Sequence, residues 1–154
     1  MDLLDELKTL LAKLDEEKIE YALRGGLAMA IYALPRATLD IDLLIEPGSL
    51  EPATRAAHDL GFTVHAAPMA FHGGKIRIHR VNKIEPETGE TLSLDLLTVS
   101  PEIMSAWESR IEVGWEHGVI RVVSPRGLIT LKAFRNSGQD RDDIAFLRRI
   151  LDED

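Results

Sequence analysis

Residues 39–45 read Leu39-Asp40-Ile41-Asp42-Leu43-Leu44-Ile45, two carboxylates alternating with apolar side chains before an apolar run that stops near Pro47-Gly48. In a strand, positions i and i+2 face the same side, so Asp40 and Asp42 share one space while Ile41 enters the core on the other. The apolar second half needs cover on both faces, which a strand finds inside a sheet packed with helices. Two carboxylates this close disfavour joint ionisation unless a cation neutralises them. The segment is therefore a largely buried strand and the first candidate site.

The flanking patterns supply the rest of the sheet and its cover. Leu3, Leu4, Leu7, Leu10, Leu11 and Leu14 recur at helical spacing, which predicts an amphipathic helix over 3–17. Residues 19–23 read as a short strand stopped by Gly25-Gly26, and 27–32 as a helix that ends before Pro35. A helix over 50–60, stopped by Gly61, precedes a short strand at 62–65, and Pro68–Gly74 is expected as a loop. Alternation at 75–81 and 91–97 about the turn Pro86-Glu87-Thr88-Gly89 predicts a hairpin with Asp95 mid-strand. A short helix at 101–109, short strands at 111–113 and 119–123, and helices at 125–136 and 140–151 follow, Ser124-Pro125 capping the first of the two. The expectation is a single domain over 1–154: a mixed central β-sheet flanked by helices.

Composition narrows the chemistry. With no Cys, thiolate zinc sites, iron–sulfur clusters and Cys nucleophiles are excluded. Lys+Arg is 18 and Asp+Glu 26, a net charge of −8 that disfavours nucleic-acid binding through bulk electrostatics. The acidic N-terminus does not suit a signal peptide, and no apolar run approaches the roughly 18 residues of a membrane span, so a soluble cytoplasmic protein without a membrane partner is expected. There is no P-loop and no defensible Ser-His-Asp set. His58, His65, His72 and His79 recur every seven residues but cross four different expected elements, which predicts no common metal site. Asp140-Arg141-Asp142 and Asp152-Glu153-Asp154 repeat the Asp-x-Asp spacing and read as solvated acidic surface.

Three further groups bear on the Asp40/Asp42 strand. Gly25-Gly26 closes a strand and opens a helix, a geometry that aims free N–H groups at an anion or serves as a plain tight turn. Asp95, inside Leu92-Ser93-Leu94-Asp95-Leu96-Leu97, is costly to bury unpaired and needs either an Arg or a metal. Hard oxygen ligands of this kind favour Mg²⁺, which binds through one or two carboxylates and substrate phosphates. Lys132 and Arg135, three apart on one helix, share a face suited to a triphosphate or to ordinary surface charge. Arg24 and Arg36 reach either phosphate or the carboxylates. Lys132, Arg135, Arg141, Arg148 and Arg149 along the closing helices form a local basic patch able to hold an RNA end.

Tyr21-Ala-Leu-Arg-Gly-Gly-Leu-Ala-Met-Ala-Ile-Tyr followed by Pro35-Arg36-Ala37-Thr38-Leu39-Asp40-Ile41-Asp42-Leu43 resembles the polymerase-beta-like nucleotidyltransferase superfamily. Within it, the likeness is to the small bacterial branch related to abortive-infection and toxin–antitoxin nucleotidyltransferases. Thirteen residues, 27–39, separate the glycines from the Asp-x-Asp, at the long end of that family's spacing. The resemblance implies that Gly25 and Gly26 line the nucleotide phosphates and that Asp40, Asp42 and Asp95 hold two Mg²⁺ ions, Asp95 also acting as base; Arg36, Lys132 and Arg135 are the candidate nucleotide-binding cations read from their charge and spacing. Many members carry Ser or Thr after the first glycine; here Gly26 leaves only backbone donors. The implied activity is transfer of a nucleoside monophosphate from an NTP to an RNA end, a protein hydroxyl or a small molecule. The alternative is an inactive binding module that works through an antitoxin-like protein partner.

Overall fold

The computed structural model describes residues 1–32, 40–135 and 137–152. Helix α1 (Leu3–Glu16) begins at Asp2, whose carboxylate accepts the Asp5 N–H, and buries Leu7, Leu10, Leu11 and Leu14 as one stripe. Strand β1 (Ala22–Arg24) passes directly into α2 (Gly25–Ile31), and β2 (Asp40–Ile45) precedes α3 (Leu50–Asp59). Strands β3 (Val64–His65), β4 (Met69–Phe71), β5 (Ile76–Ile84) and β6 (Thr91–Thr98) follow. Helix α4 (Met104–Glu108), the hairpin of β7 (Ile111–Trp115) and β8 (Gly118–Val122), and helices α5 (Pro125–Arg135) and α6 (Gly138–Asp152) complete the order.

The strands form one mixed sheet in the order β3-β5-β6-β2-β1-β8-β7, with β4 also on β5. At its centre β2 and β6 run parallel, while β1 lies antiparallel to β2 and β5 antiparallel to β6. Ile41, Leu43, Leu44 and Ile45 of β2 are fully buried, as an apolar run in a central strand requires. On one face α1 packs against α3: Lys83 at the end of β5 reaches Glu6 at 2.9 Å, and Lys13 meets Asp59 at 3.6 Å. On the other face α2, α5 and α6 leave a cavity open over the middle of the sheet.

Two boundaries differ from the sequence expectation in ways that matter. Helix α2 starts at Gly25 itself, so the glycines are its first turn and Arg24 ends the strand. The expected loop at 68–74 contains β4, which pairs Met69, Ala70 and Phe71 with Ile78, Arg77 and Ile76. Three residues are too few to display alternation; β5 extends past β3, and its free edge recruits them. His72, Gly73 and Gly74 turn the chain back with successive positive φ values of 53, 67 and 85°. Ser124 caps α5 as expected, its Oγ accepting the Gly127 N–H at 3.0 Å. Among the described residues, no helix is long and apolar enough to cross a membrane.

Candidate active site

Register brings the chemistry together. Asp42 on β2 stands opposite Arg24 on β1 and opposite Asp95 on β6, and Asp95 stands opposite Arg80 on β5. The result is one row across four adjacent strands: cation, acid, acid, cation. Asp40, two residues before Asp42, lies on the same face. One carboxylate oxygen from each of Asp40, Asp42 and Asp95 lies within 4.8 Å of the other two. Three oxygen donors and no nitrogen or sulfur suit a hard divalent cation such as Mg²⁺.

The two arginines hold the acids differently. Arg80 donates from Nε to Asp95 Oδ1 at 2.7 Å and from Nη2 to Oδ2 at 2.9 Å, a bidentate pair, and its Nη2 is 4.0 Å from Asp40 Oδ2. Asp95 is only 6% exposed, so the arginine meets the need for a partner that the strand sequence raises. That hydrogen bond pushes the Arg80 pKa up. Arg24 is buried, with Nη2 3.9 Å from Asp42 Oδ1, and its Nε and Nη2 find no hydrogen-bond partner among the described residues. Burial lowers its pKa, against the opposing effect of Asp42 and Asp95. Burial likewise raises the Asp42 carboxyl above its ordinary value; Arg24 opposes this, while Asp95 and Asp40 add to it.

Gly25 is fixed by this site. Its φ of +73° favours glycine, and a Cβ there would overlap the Asp42 carboxylate. Gly26 follows in the first turn of α2, which has no side-chain capping bond. Asp40, Asp42, Asp95, Gly25, Gly26, Lys132 and Arg135 all line one cavity of about 600 Å³. Arg36 lies outside the described residues.

Lys132 and Arg135 enter the cavity already paired. Lys132 Nζ is 2.9 Å from Asp143 Oδ2, with side chains 7% and 0% exposed, and Gln139 donates to the other Asp143 oxygen at 3.0 Å. Arg135 Nε is 3.3 Å from Asp140, which also accepts from the Ser137 hydroxyl and backbone N–H. Asp140 is thus 1% exposed, not solvated surface as Asp140-Arg141-Asp142 suggested: α6 begins there and turns it inward to close the junction with α5. Lys132 for the same reason is no part of an outer basic patch. The cavity wall beyond Asp95 is apolar, built from Met69, Phe71, Ile76, Ile78 and Leu97. At its rim His72 Nε2 donates to the Phe134 carbonyl at 2.7 Å, joining the β4–β5 turn to α5. His58 and His65 meet, Nε2 to Nε2 at 2.7 Å, a contact between two of the four histidines that the sequence pattern did not single out. His72 lies apart from them on Phe134.

No protein-family model and no curated protein matches the chain. Solved structures do. A Thermotoga maritima protein, TM1012, described as a candidate nucleotidyltransferase, aligns over 98% of this chain and 93% of its own with TM-score 0.61 and 16% identity. The antibiotic-resistance factor ANT(2'')-Ia aligns in its solution structure over 98% of this chain and 86% of its own, with TM-score 0.64 and 14% identity. Its crystal structure in complex with adenylyl-2''-tobramycin gives TM-score 0.64 and 15% identity over 94% of this chain and 87% of the other. The chain has a nucleotidyltransferase fold. Within that fold the strand pair β2–β6 carries the three carboxylates, and the start of α2 lies directly against Asp42.

Proposed function

We propose that the protein transfers a nucleoside monophosphate from an NTP to a hydroxyl acceptor in a Mg²⁺-dependent reaction. The observation that carries this reading is the convergence of Asp40, Asp42 and Asp95 within 4.8 Å beside the glycines that open α2. The fold, shared with a protein whose complex holds adenylyl-2''-tobramycin, supports it. Asp40, Asp42 and Asp95 would hold the metal, which when bound neutralises charge on the phosphates and on the attacking oxygen. Backbone N–H groups of Gly25 and Gly26 orient the triphosphate, with Lys132, Arg135 and Arg36 assigned to it from their charge and spacing in the sequence. As the acceptor oxygen forms its bond to the α-phosphorus, Asp95 takes the hydroxyl proton, the α–β bridging bond breaks and pyrophosphate leaves. The acceptor would approach along the wall beyond Asp95. Among the described residues that wall carries Met69, Phe71, Ile76, Ile78 and Leu97 and no carboxylate, which favours an acceptor with an apolar face over a polycation such as an aminoglycoside.

The test is transfer of label from each α-labelled NTP with Mg²⁺, into cell extract and onto tobramycin, by wild type and Asp42→Asn. Label incorporated by the wild type alone supports the reading, and its sensitivity to nuclease or protease identifies the acceptor class. Equal incorporation by both refutes the role of Asp42. A second reading, a non-catalytic binding module, is favoured by the arginines that flank the carboxylates. Its mark is a wild type that transfers nothing, gains no thermal stability from NTP with Mg²⁺ and co-purifies with a protein partner. The toxin–antitoxin assignment rests on the sequence resemblance and requires that same partner.

A further inference from the structure

Arg80 has no part in the reading above, yet it makes a short bidentate contact in the site. Its guanidinium grips both oxygens of Asp95 at 2.7 and 2.9 Å, and Nη2 stands 4.0 Å from Asp40. It therefore lies against two of the three carboxylates that would ligate a divalent ion. Resting on the metal-dependent reading of the site, we propose that Arg80 is a positioning residue that stands in for the divalent ion in the metal-free protein. It releases Asp95 when the ion binds.

Three observations carry this. Among the described residues, Arg24 and Arg80 offset two of the three carboxylate charges, so with Arg80 in place the cluster attracts a divalent cation less strongly than three bare acids would. The Asp95 oxygens, in a residue 6% exposed, are both engaged by the guanidinium and must be released before they serve a metal fully. The two arginines also differ in freedom. Arg24 has a side chain 9% exposed and is locked beneath the sheet's cover, whereas the Arg80 side chain is 35% exposed and borders the open cavity into which it can swing. The arrangement keeps Asp95 neutralised while the site is empty and frees it when the charge it needs arrives with the substrate.

A purely structural ion pair makes the opposite prediction, because loss of Arg80 would then scatter the carboxylates and weaken metal binding. The sign of the change in divalent affinity decides between them. The probe is Mn²⁺ alone, its free concentration followed by electron paramagnetic resonance, with wild type, Arg80→Gln and Arg80→Lys; melting is recorded in chelator and in Mn²⁺. Arg80→Gln is expected to bind Mn²⁺ roughly tenfold or more tightly than wild type, the scale of a charge-assisted hydrogen bond no longer broken on binding. It is also expected to melt lower in chelator and to recover with Mn²⁺. Arg80→Lys, which keeps the charge but not the fork, falls between. Unchanged or weaker Mn²⁺ binding by Arg80→Gln overturns the proposal and leaves the metal site standing. Absence of Mn²⁺ binding by every folded form overturns both the proposal and the metal-dependent reading. If Arg80→Gln does not fold, Arg80→Lys decides: tighter binding supports the proposal, and equal or weaker binding refutes it.

Discussion

Removing Asp143 isolates a charge that the fold has sealed away. Lys132 Nζ and Asp143 Oδ2 are 2.9 Å apart with side chains 7% and 0% exposed. At an effective dielectric of ~20 their attraction is about 6 kcal/mol, offset by a desolvation cost of several kcal/mol for each ion. The intact pair therefore contributes little net stability, but either half alone is expensive. Asp143→Ala strands the Lys132 ammonium and the Gln139 amide that donates to Asp143, and is expected to cost ~3–5 kcal/mol. For a domain of this size that is a fall in Tm of roughly 6–20 °C. Replacing both partners, Lys132→Met with Asp143→Leu, restores most of the loss because the space is refilled without charge. Urea denaturation of the single and double variants, at constant slope, measures both steps. A loss below about 1 kcal/mol for Asp143→Ala, or no recovery in the double variant, refutes the argument that the pair is sealed. The double variant has a second use: folded but lacking Lys132, it reports whether that ammonium contributes to NTP binding independently of stability.

Gly25→Ala forces a left-handed backbone on a residue with a Cβ, at about 1–2 kcal/mol, and drives that Cβ into the Asp42 carboxylate. Thermal melting is expected to record the loss, and Mn²⁺ titration a weaker site, whereas Gly48→Ala, where a Cβ meets nothing within 4 Å, leaves both unchanged. Asp42 supplies the pH dependence: its carboxyl is raised in the folded protein by burial, so its contribution is fully present below the unfolded carboxylate pKa and is lost as pH rises through the folded value. In chelator, wild type is therefore expected to lose stability relative to Asp42→Asn as pH climbs from about 4 through the raised value, and a parallel pair of melting curves across that range contradicts it.

Much of the site was legible because strand periodicity is rigid. Once residues 39–45 are a strand, Asp40 and Asp42 must share a face, and Asp95 sits on an apolar strand whose only economical neighbour is another buried strand. What escaped the sequence was the identity of the partners. Arg80 follows from the hairpin register alone: with Ile84 opposite Thr91, counting back four residues from one and forward four from the other sets Arg80 against Asp95. The turn residues announced the hairpin but not that register, because the chain between the strands is longer than a two-residue turn whose geometry dictates pairing. Asp140 and Asp143 escaped for a different reason. Helical periodicity marked their helix as charged, but burial of those two carboxylates depends on how α6 docks against α5, a tertiary event that local pattern does not encode. Strand β4 is likewise made by the edge it joins, not by its own three residues.

These partners change what the cavity asks of a nucleotide. Read from the sequence, Lys132 and Arg135 are spare cations for a triphosphate. In the structure each has an acid already, Asp143 at 2.9 Å and Asp140 at 3.3 Å, so neither brings uncompensated charge. Among the described residues, Arg24 and Arg80 offset two of the three central carboxylate charges. A cavity whose cations are already paired with acids has little to offer a bare polyanion, and the surrounding protein, at net −8, has less. A triphosphate accompanied by two Mg²⁺ ions, by contrast, carries almost no net charge of its own and can enter without upsetting that balance. On the proposed function, affinity for the nucleotide is then chiefly affinity for its metals through Asp40, Asp42 and Asp95. The basic side chains act less as a lure than as counter-charges that neutralise those carboxylates until the metals come.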